Sequence, residues 1–293
     1  MLVEKSITSL RHLRFPFSFL LLPVYLWGSV LASPISIFQG VCVGIILHFL
    51  AYPASNGFNS YYDRDEESIG GLETPPPVND LLLYVSLGLD FVATLWALWL
   101  NVWLGLGIFV YGLASKAYSH DKIRLKKMPF TSWLTVGFFQ GFFTVWLTYQ
   151  GFCAINWADL PALPTAVFWG GILSSLMLMG SYPMTQVYQH NEDGRRGDKT
   201  LSILLGIRGT FVFTGIVFAF VTAGYIYFLH TFFGAKWAVA YPLALSPVLL
   251  FFNIWAWQVW QNPQKANFQY AMRLNLLSAL CLNSFFGAML WFA

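Results

Sequence analysis

Long apolar segments dominate this chain of 293 residues and leave few folds open to it. A helix needs about 20 apolar residues to cross the hydrocarbon core of a bilayer. Charged residues make up only 10% of the chain, whereas a soluble domain carries roughly 25%. The sequence therefore predicts an all-α polytopic membrane protein, a single transmembrane domain over residues 1–293. Its nine predicted transmembrane helices lie at residues 15–31, 36–55, 80–99, 101–118, 130–150, 164–185, 210–229, 238–258 and 273–293.

The distribution of basic residues orients these helices. With the N-terminus in the cytoplasm, 15 of the 16 Lys and Arg residues fall on the cytoplasmic side, including Lys116, which is counted with the loop between the fourth and fifth helices. Only Lys236 lies outside. Cytoplasmic loops of membrane proteins carry an excess of Lys and Arg. We therefore expect a multi-pass protein of the bacterial inner membrane, with the N-terminus in the cytoplasm and the C-terminus outside.

The boundary between the third and fourth helices rests on one dipeptide, Leu100-Asn101. A tight hairpin and a single kinked helix are both compatible with it. Roughly 40 apolar residues exceed the length of one crossing, so the length favours the hairpin.

Asp90 lies inside the third predicted helix. A carboxylate within the membrane is a candidate for a functional site. Its neighbours in sequence offer no partner, so a role in helix packing is an equal alternative.

Two polar segments follow the second and sixth predicted helices, on the same side of the membrane. Asn59, Asp63 and Glu67 are four residues apart in the first, and Gln189 and Asp193 are four apart in the second. Residues four apart share one face of a helix. The first set forms a continuous stripe if the second helix extends past Asn59. Carboxylate oxygens in such a stripe are suitable ligands for Mg2+.

The two polar segments also indicate an internal repeat. In each, an amide precedes a carboxylate by four residues, and the segments are four predicted helices apart. This offset favours two pseudo-repeated four-helix halves around a central cavity, with a ninth helix appended. A solvated acidic surface would explain either segment alone, but their matching positions argue against it for the pair.

Basic residues accompany these carboxylates on the cytoplasmic side. They can bind phosphate oxygens, Arg as a planar fork and Lys as a point charge. The alternative is that they only fix the topology. The candidates are Arg64, Lys122, Arg124, Lys126, Lys127, Arg195, Arg196 and Lys199.

The two polar segments resemble motifs of the UbiA superfamily of intramembrane prenyltransferases, and the resemblance covers nearly the whole chain. Members have nine transmembrane helices, with Asn-x3-Asp-x3-Asp after the second helix and Asp-x3-Asp after the sixth. Here the first motif reads Asn59-x3-Asp63-x3-Glu67. In the second, Gln189 stands where the family has Asp, while Asp193 matches.

A third element of the resemblance lies near the loop between helices four and five. Tyr118-x3-Lys122 is similar to a Tyr-x3-Lys element of the family, although Lys126 fits other members. The choice between the two lysines stays open. The loss of a carboxylate at Gln189 also leaves two alternatives, compensation by Glu192 or Asp198, or weaker binding of one Mg2+.

The resemblance implies Mg2+-dependent chemistry on a polyprenyl diphosphate. Asp63, Glu67 and Asp193 would hold the metal, and Asp63, Asp193, Tyr118 and Lys122 would form the catalytic set. The diphosphate would be bound by Asn59, Arg64, Lys126, Gln189, Arg195 and Lys199. An allylic cation would then develop, and a small acceptor would attack it.

The implied partners are the polyprenyl diphosphate, the lipid bilayer and a small aromatic acceptor such as a quinone precursor, with no nucleic acid. Many members that use aromatic acceptors continue the first motif with Arg-Thr-x2-Arg-Pro, whereas this chain has Gly70-Gly-Leu-Glu-Thr-Pro75. Two other functions therefore remain. One is a UbiA-type terpene cyclase acting on a prenyl diphosphate, and the other is a cation-coupled transporter.

Overall fold

The computed structural model describes residues 2–153 and 163–292. Within them the regular structure is helical, apart from one isolated bridge between Ile69 and Leu72. The α-helices, in chain order, are α1 (Leu2–His12), α2 (Leu22–Ala32), α3 (Ile37–Ile45), α4 (Tyr52–Asp63), α5 (Leu81–Leu100), α6 (Val102–Ser119), α7 (Pro129–Gly137), α8 (Thr144–Phe152), α9 (Thr165–Ser181), α10 (His190–Arg196), α11 (Leu201–Phe233), α12 (Ala235–Gln261) and α13 (Phe268–Phe292).

Most predicted membrane helices recur as long apolar helices. Seven stretches of the described residues are long and apolar enough to cross a membrane, namely Val3–Ala32, Ile37–Asp63, Leu81–Leu100, Thr165–Thr185, Leu201–Phe233, Ala235–Gln261 and Phe268–Phe292. The other two predicted helices are helical as α6 and as residues 129–152, but they are not among these seven. The all-α polytopic fold is thus confirmed, whereas the count of nine crossings is not.

Two of the long helices contain π-helical segments. Ile46–Ala51 joins α3 to α4, and Phe138–Phe143 joins α7 to α8. Pro53 accounts for the first, because its ring has no N–H to offer the carbonyl four residues earlier. In the second, the backbone N–H of Phe142 donates to Ser175 Oγ of α9 at 2.9 Å. The Ser175 side chain of the neighbouring helix therefore accepts a backbone hydrogen bond within this π-helical segment.

Asn101 ends α5 and begins α6, which gives the hairpin that helix length favoured. Its backbone is extended, with φ −161° and ψ 131°, and its side-chain oxygen accepts hydrogen bonds from the N–H groups of Trp103 and Leu104. These bonds satisfy two of the free donors at the start of α6. Asn101 Nδ2 also donates to the carbonyl of Cys153 at 3.1 Å, which ties the hairpin to the end of α8.

The apolar core consists of two clusters of buried side chains. One is formed mainly by α2, α9, α11, α12 and α13, and the other mainly by α3 to α6. Trp27 is central to the first, since its ring stacks on Phe286 at 5.0 Å and its Nε1 donates to the carbonyl of Gly170 at 3.0 Å. A Cβ on Gly170 would lie 2.7 Å from Leu31 Cδ1 and 3.2 Å from the Trp27 ring, so glycine at this position favours the close approach of α2 to α9.

Asp90 has a partner on the neighbouring helix. Lys116, expected in a cytoplasmic loop, instead lies within α6, and its Nζ forms an ion pair with Asp90 of α5. The two side chains are 25% and 15% exposed, so the pair is largely withdrawn from the surroundings. Neither residue lines the central cavity described below. The structure therefore favours the helix-packing role for Asp90.

We expect Lys116→Met to lower the free energy of unfolding by about 1–3 kcal/mol, because it leaves the Asp90 carboxylate unpaired between two helices. The double variant Asp90→Asn/Lys116→Met should recover most of that loss. Thermal unfolding in detergent micelles measures both effects. Lys265→Met, which removes an exposed lysine, is the matched control. Equal losses in the single and double variants would contradict a stabilising pair.

Candidate active site

A cavity of about 380 Å3 lies between helices from both parts of the chain. Its carboxylates come from the end of α4 and the segment after it, and from the segment that follows α9; they are Asp63, Asp65, Asp193 and Asp198. Its apolar part is lined by aromatic residues of α2, α11, α12 and α13, namely Trp27, Tyr225, Tyr241 and Phe286. Asp63 and Asp193 thus face one shared space, which is polar at one end and apolar at the other.

Asp63 is the last residue of α4 and is only 7% exposed. Asn59, one turn earlier, donates through Nδ2 to Asp63 Oδ2 at 2.7 Å and to Ser119 Oγ at 2.9 Å. On its other oxygen, Oδ1, Asp63 meets Lys126 Nζ at 2.5 Å. Asn59, Asp63 and Lys126 all line the cavity, as the motif spacing led us to expect.

The expected helical stripe does not reach Glu67. The helix ends at Asp63 because Arg64 adopts the left-handed conformation, with φ 49° and ψ 45°. Beyond this point the spacing of four no longer keeps residues on one face. Glu67 pairs with Arg195 and does not line the central cavity, whereas Asp65 does. The structure therefore corrects the expected position of Glu67. Asp65, and not Glu67, is the carboxylate that this segment adds to the cavity lining beside Asp63.

The second polar segment supplies Gln189, Asp193 and Asp198 to the cavity. The short helix α10 ends at Gly197, whose φ of 74° suits a residue without a side chain and reverses the chain. This turn brings the N–H of Asp198 to the carbonyl of Asp193 at 2.9 Å. Of the two acidic residues considered as compensation for Gln189, Asp198 lines the cavity and Glu192 does not.

Glu192 instead joins the two polar segments. Its carboxylate accepts hydrogen bonds from the backbone N–H groups of Glu66 at 2.9 Å and Glu67 at 3.2 Å. Arg196 bonds to Asp65 at 2.7 Å and to Glu192 at 2.8 Å. Gln189 Nε2 donates to the carbonyl of Ser68 at 3.2 Å. These bonds fix the segment after α4 against α10, beside the carboxylates.

Several predicted phosphate-binding residues lie away from the cavity. Arg64, Lys122, Arg195 and Lys199 are exposed and do not line it. Lys126 does line it, so the structure favours Lys126 over Lys122 for the lysine that the sequence left open. The sequence alone did not separate these four residues from Lys126, because the distance from a motif does not tell where a flexible side chain lies. Their contacts with diphosphate stay a prediction.

Arg124, in the loop between α6 and α7, makes a two-point ionic contact with Asp198. Its guanidinium donates to Asp198 through Nε at 3.2 Å and through a terminal nitrogen at 3.0 Å, a two-point geometry typical of Arg and carboxylate. It also lies 3.6 Å from Asp63. Arg124 belongs to the basic cluster found in the sequence, but nothing in the spacing distinguished it from its neighbours.

Tyr118 lines the cavity, and its hydroxyl is hydrogen-bonded to that of Tyr182. Tyr182 begins the short helical turn after α9, so the pair connects α6 to the segment that leads to Asp193. Tyr61 and Tyr62, the aromatic residues between Asn59 and Asp63 in the first motif, do not line the cavity. Tyr182 was missed because its partner lies 64 residues earlier in the chain.

The carboxylates are suited to hold a divalent cation. Burial and neighbouring carboxylates raise the pKa of Asp193 to about 7, although Lys126 opposes the shift. Burial, and then the charge of Asp63, raise the pKa of Asp65 to about 6. Such shifts indicate negative charge that the protein alone does not fully balance. Within the described residues no three Asp, Glu, His or Cys side chains form a ready-made metal site, so the carboxylates would have to exchange basic partners for the ion.

The sequence match decides the family. A model described as the UbiA prenyltransferase family matches residues 21–277. The chain belongs to the UbiA prenyltransferase family. The resemblance seen in the motifs is thereby confirmed, and the chain is an integral membrane protein. A comparison with curated proteins gave no match.

Solved structures of UbiA homologues share the fold. The homologue from Archaeoglobus fulgidus bound to GPP and Mg2+ is 17% identical, with a TM-score of 0.67, and the match covers 97% of this chain and 99% of that one. The apo homologue from Aeropyrum pernix K1 is 15% identical, with a TM-score of 0.68 and coverages of 95% and 98%. A structure of digeranylgeranylglyceryl phosphate synthase is 16% identical, with a TM-score of 0.60 and coverages of 98% and 99%.

We expect divalent-cation binding to this UbiA protein to strengthen as the pH rises from 6 to 8. A raised pKa keeps a carboxyl group protonated below that value, and only the ionised form binds a metal. With Asp193 near 7, its ionised fraction and hence the Mg2+ affinity should rise about tenfold over this range. Titration calorimetry in detergent measures the affinity. Asp193→Asn should flatten the upper part of the profile, and an unchanged profile would contradict this prediction.

Proposed function

We propose that this protein transfers an isoprenoid chain from a polyprenyl diphosphate to a small acceptor, in an Mg2+-dependent reaction within the membrane. The acceptor is an aromatic compound such as a quinone precursor. One observation carries the proposal: Asp63 and Asp193, from separate segments, line one cavity that is acidic at one end and apolar at the other. A metal-bound diphosphate suits the acidic end, and an isoprenoid tail suits the apolar part.

The related structure from Archaeoglobus fulgidus contains both GPP and Mg2+, which supports this choice of donor and metal. When bound, Mg2+ balances the negative charge of the departing diphosphate. Asp63 and Asp193 are the metal ligands in this proposal, with Asp65 and Asp198 completing the acidic set. These carboxylates are hard oxygen donors of the kind that Mg2+ prefers. The outer position of Glu67 makes it a weaker candidate than Asp65.

Lys126 has a role that follows from its present contacts. It lies 2.5 Å from Asp63 and 3.6 Å from Asp198, so it occupies space between two carboxylates. If a metal ion were bound by those oxygens, the Lys126 ammonium group would be free to bind a phosphate oxygen of the donor. As the bond between the allylic carbon and oxygen breaks, the electron pair stays with the diphosphate. Lys126 stabilises that charge.

The carbon end of the reaction lies next to aromatic side chains. Tyr118 and Tyr182 line the same cavity as the carboxylates. An aromatic face stabilises a nearby cation by roughly 0.5–2 kcal/mol. We assign Tyr118 this role toward the allylic carbon. The acceptor carbon attacks from within the cavity, forms the new bond and then loses a proton.

The membrane setting follows from the charge distribution. The carboxylates lie on the side that holds 15 of the 16 basic residues, which is the cytoplasmic side under the positive-inside rule. We place the N-terminus in the cytoplasm and the C-terminus outside, in a bacterial inner membrane. The diphosphate then arrives at the water-facing end while its tail stays in the lipid-like interior.

The proposal is tested with purified protein, labelled geranyl to geranylgeranyl diphosphate, Mg2+ and a panel of acceptors. A prenylated adduct supports transfer. A volatile hydrocarbon formed without any acceptor would replace transfer with cyclisation. Failure to bind or consume any prenyl diphosphate would overturn both.

Asp63→Asn and Asp193→Asn should each reduce Mg2+-dependent turnover by at least about 100-fold, because each removes a charged metal ligand without changing side-chain size. Glu66→Gln is the matched control, since Glu66 belongs to the same acidic run but is exposed and lies outside the cavity lining. Steady-state rates at saturating Mg2+ measure the effect. Wild-type turnover in either Asp variant would reject the site.

The positions of Asp65 and Glu67 give a sharper prediction. Asp65→Asn should weaken Mg2+ binding about tenfold or more, whereas Glu67→Gln should change it less than about threefold. Arg196→Gln controls for loss of the ion pair that Asp65 makes. Calorimetric titration of the three variants measures these affinities. The reverse order would restore Glu67 as the ligand that the motif implied.

A further inference from the structure

Arg14 is a cavity residue that no motif in the sequence singled out. It lies between α1 and the short helical segment Phe15–Leu21, and it is 9% exposed. Its side chain lines the same cavity as Asp63 and Asp193. Its backbone is left-handed, with φ 50° and ψ 46°, a conformation that a residue with a Cβ adopts only at a cost.

The guanidinium of Arg14 is held entirely by neutral groups. It donates to the carbonyl of Gly70 at 3.0 Å and to Asn56 Oδ1 at 3.2 Å, and it lies over the ring of Phe17. Its Nε is buried without a hydrogen-bond partner. In the part of the chain that the structure describes, no carboxylate oxygen lies within ion-pair distance of it.

This arrangement differs from that of the other basic residues near the carboxylates. Arg124 and Lys126 are already paired with Asp63 and Asp198. A buried cation without a counter-charge is costly. Arg14 therefore brings to the cavity a positive charge that nothing in direct contact balances. The planar fork of a guanidinium suits an anion with two oxygens.

We propose that Arg14 binds an oxyanion of a substrate, through phosphate or carboxylate oxygens. The inference rests on the proposed transferase function and adds a binding residue from the N-terminal segment. Two sources can supply the anion: the diphosphate of the donor, or an acidic group on the acceptor. Gly70 and Asn56 fix the guanidinium in place before the anion arrives, so little ordering is needed on binding.

The test uses Arg14→Gln, which removes the charge but keeps an amide that can bond to Gly70 or Asn56. Arg11→Gln is the matched control, because Arg11 is exposed on α1 and also donates to a carbonyl of the following loop, that of Thr74. Affinities are measured by calorimetry in detergent for four probes: inorganic pyrophosphate and geranyl diphosphate, each with Mg2+, and 4-hydroxybenzoate and 4-hydroxybenzamide.

If the anion is the donor diphosphate, Arg14→Gln weakens pyrophosphate and geranyl diphosphate about tenfold or more, and Arg11→Gln changes them less than about twofold. If it is an acceptor carboxylate, diphosphate affinity is kept and the preference for 4-hydroxybenzoate over its neutral amide disappears. Either result supports the assignment and identifies the source.

Unchanged affinity in folded Arg14→Gln for every anion that the wild type binds would overturn the inference and leave Arg14 a structural residue. Should this variant not fold, Arg14→Lys takes its place, since it keeps the charge and loses the fork. A loss of several-fold supports the inference, and wild-type affinity overturns it. If the wild type itself binds neither diphosphate, the proposed function fails and this inference with it.

Discussion

The structure depends on keeping four carboxylates, Asp63, Asp65, Asp193 and Asp198, beside a cavity that extends into an apolar interior. Burying such charges costs several kcal/mol each unless they are paired. Lys126 and Arg124 pair with two of them, and Arg196 pairs with a third. Among the described residues no basic side chain forms an ion pair with Asp193, and burial raises its pKa to about 7. A divalent ion would balance the negative charge that remains. The same carboxylates therefore take part in the ion pairs of the fold and in metal binding.

The same ionic contacts hold the two polar segments together. Glu192 bonds to the backbone that follows α4, and Arg196 joins Asp65 to Glu192. Because these contacts cross between segments about 125 residues apart in sequence, neither segment holds its position independently. The site is therefore assembled by tertiary contacts at the end of the helices. A loss of charge in one segment is expected to disturb the carboxylates of the other.

Features with a local cause could be predicted from the sequence. Hydropathy located the long helices, and the length of the apolar stretch predicted the hairpin at Asn101. The cap that forms this hairpin is local, since Asn101 bonds to residues two and three positions later. Features that depend on where a helix ends could not be predicted from the sequence. One left-handed residue, Arg64, moves Glu67 out of the cavity and brings in Asp65. Arg14 lies 49 residues before Asp63 in the sequence, and only the folded chain brings the two to one cavity.

Gln189 shows how one departure from the family motif fits this arrangement. A carboxylate there would add a further negative charge next to Asp193, whose own ionisation is already opposed by burial and by neighbouring acids. The amide instead donates to the carbonyl of Ser68, which a carboxylate cannot do. Asp198 supplies a carboxylate to the same cavity, and Arg124 balances it. The chain thus keeps an acidic site of similar charge while using Gln189 to fasten the two polar segments.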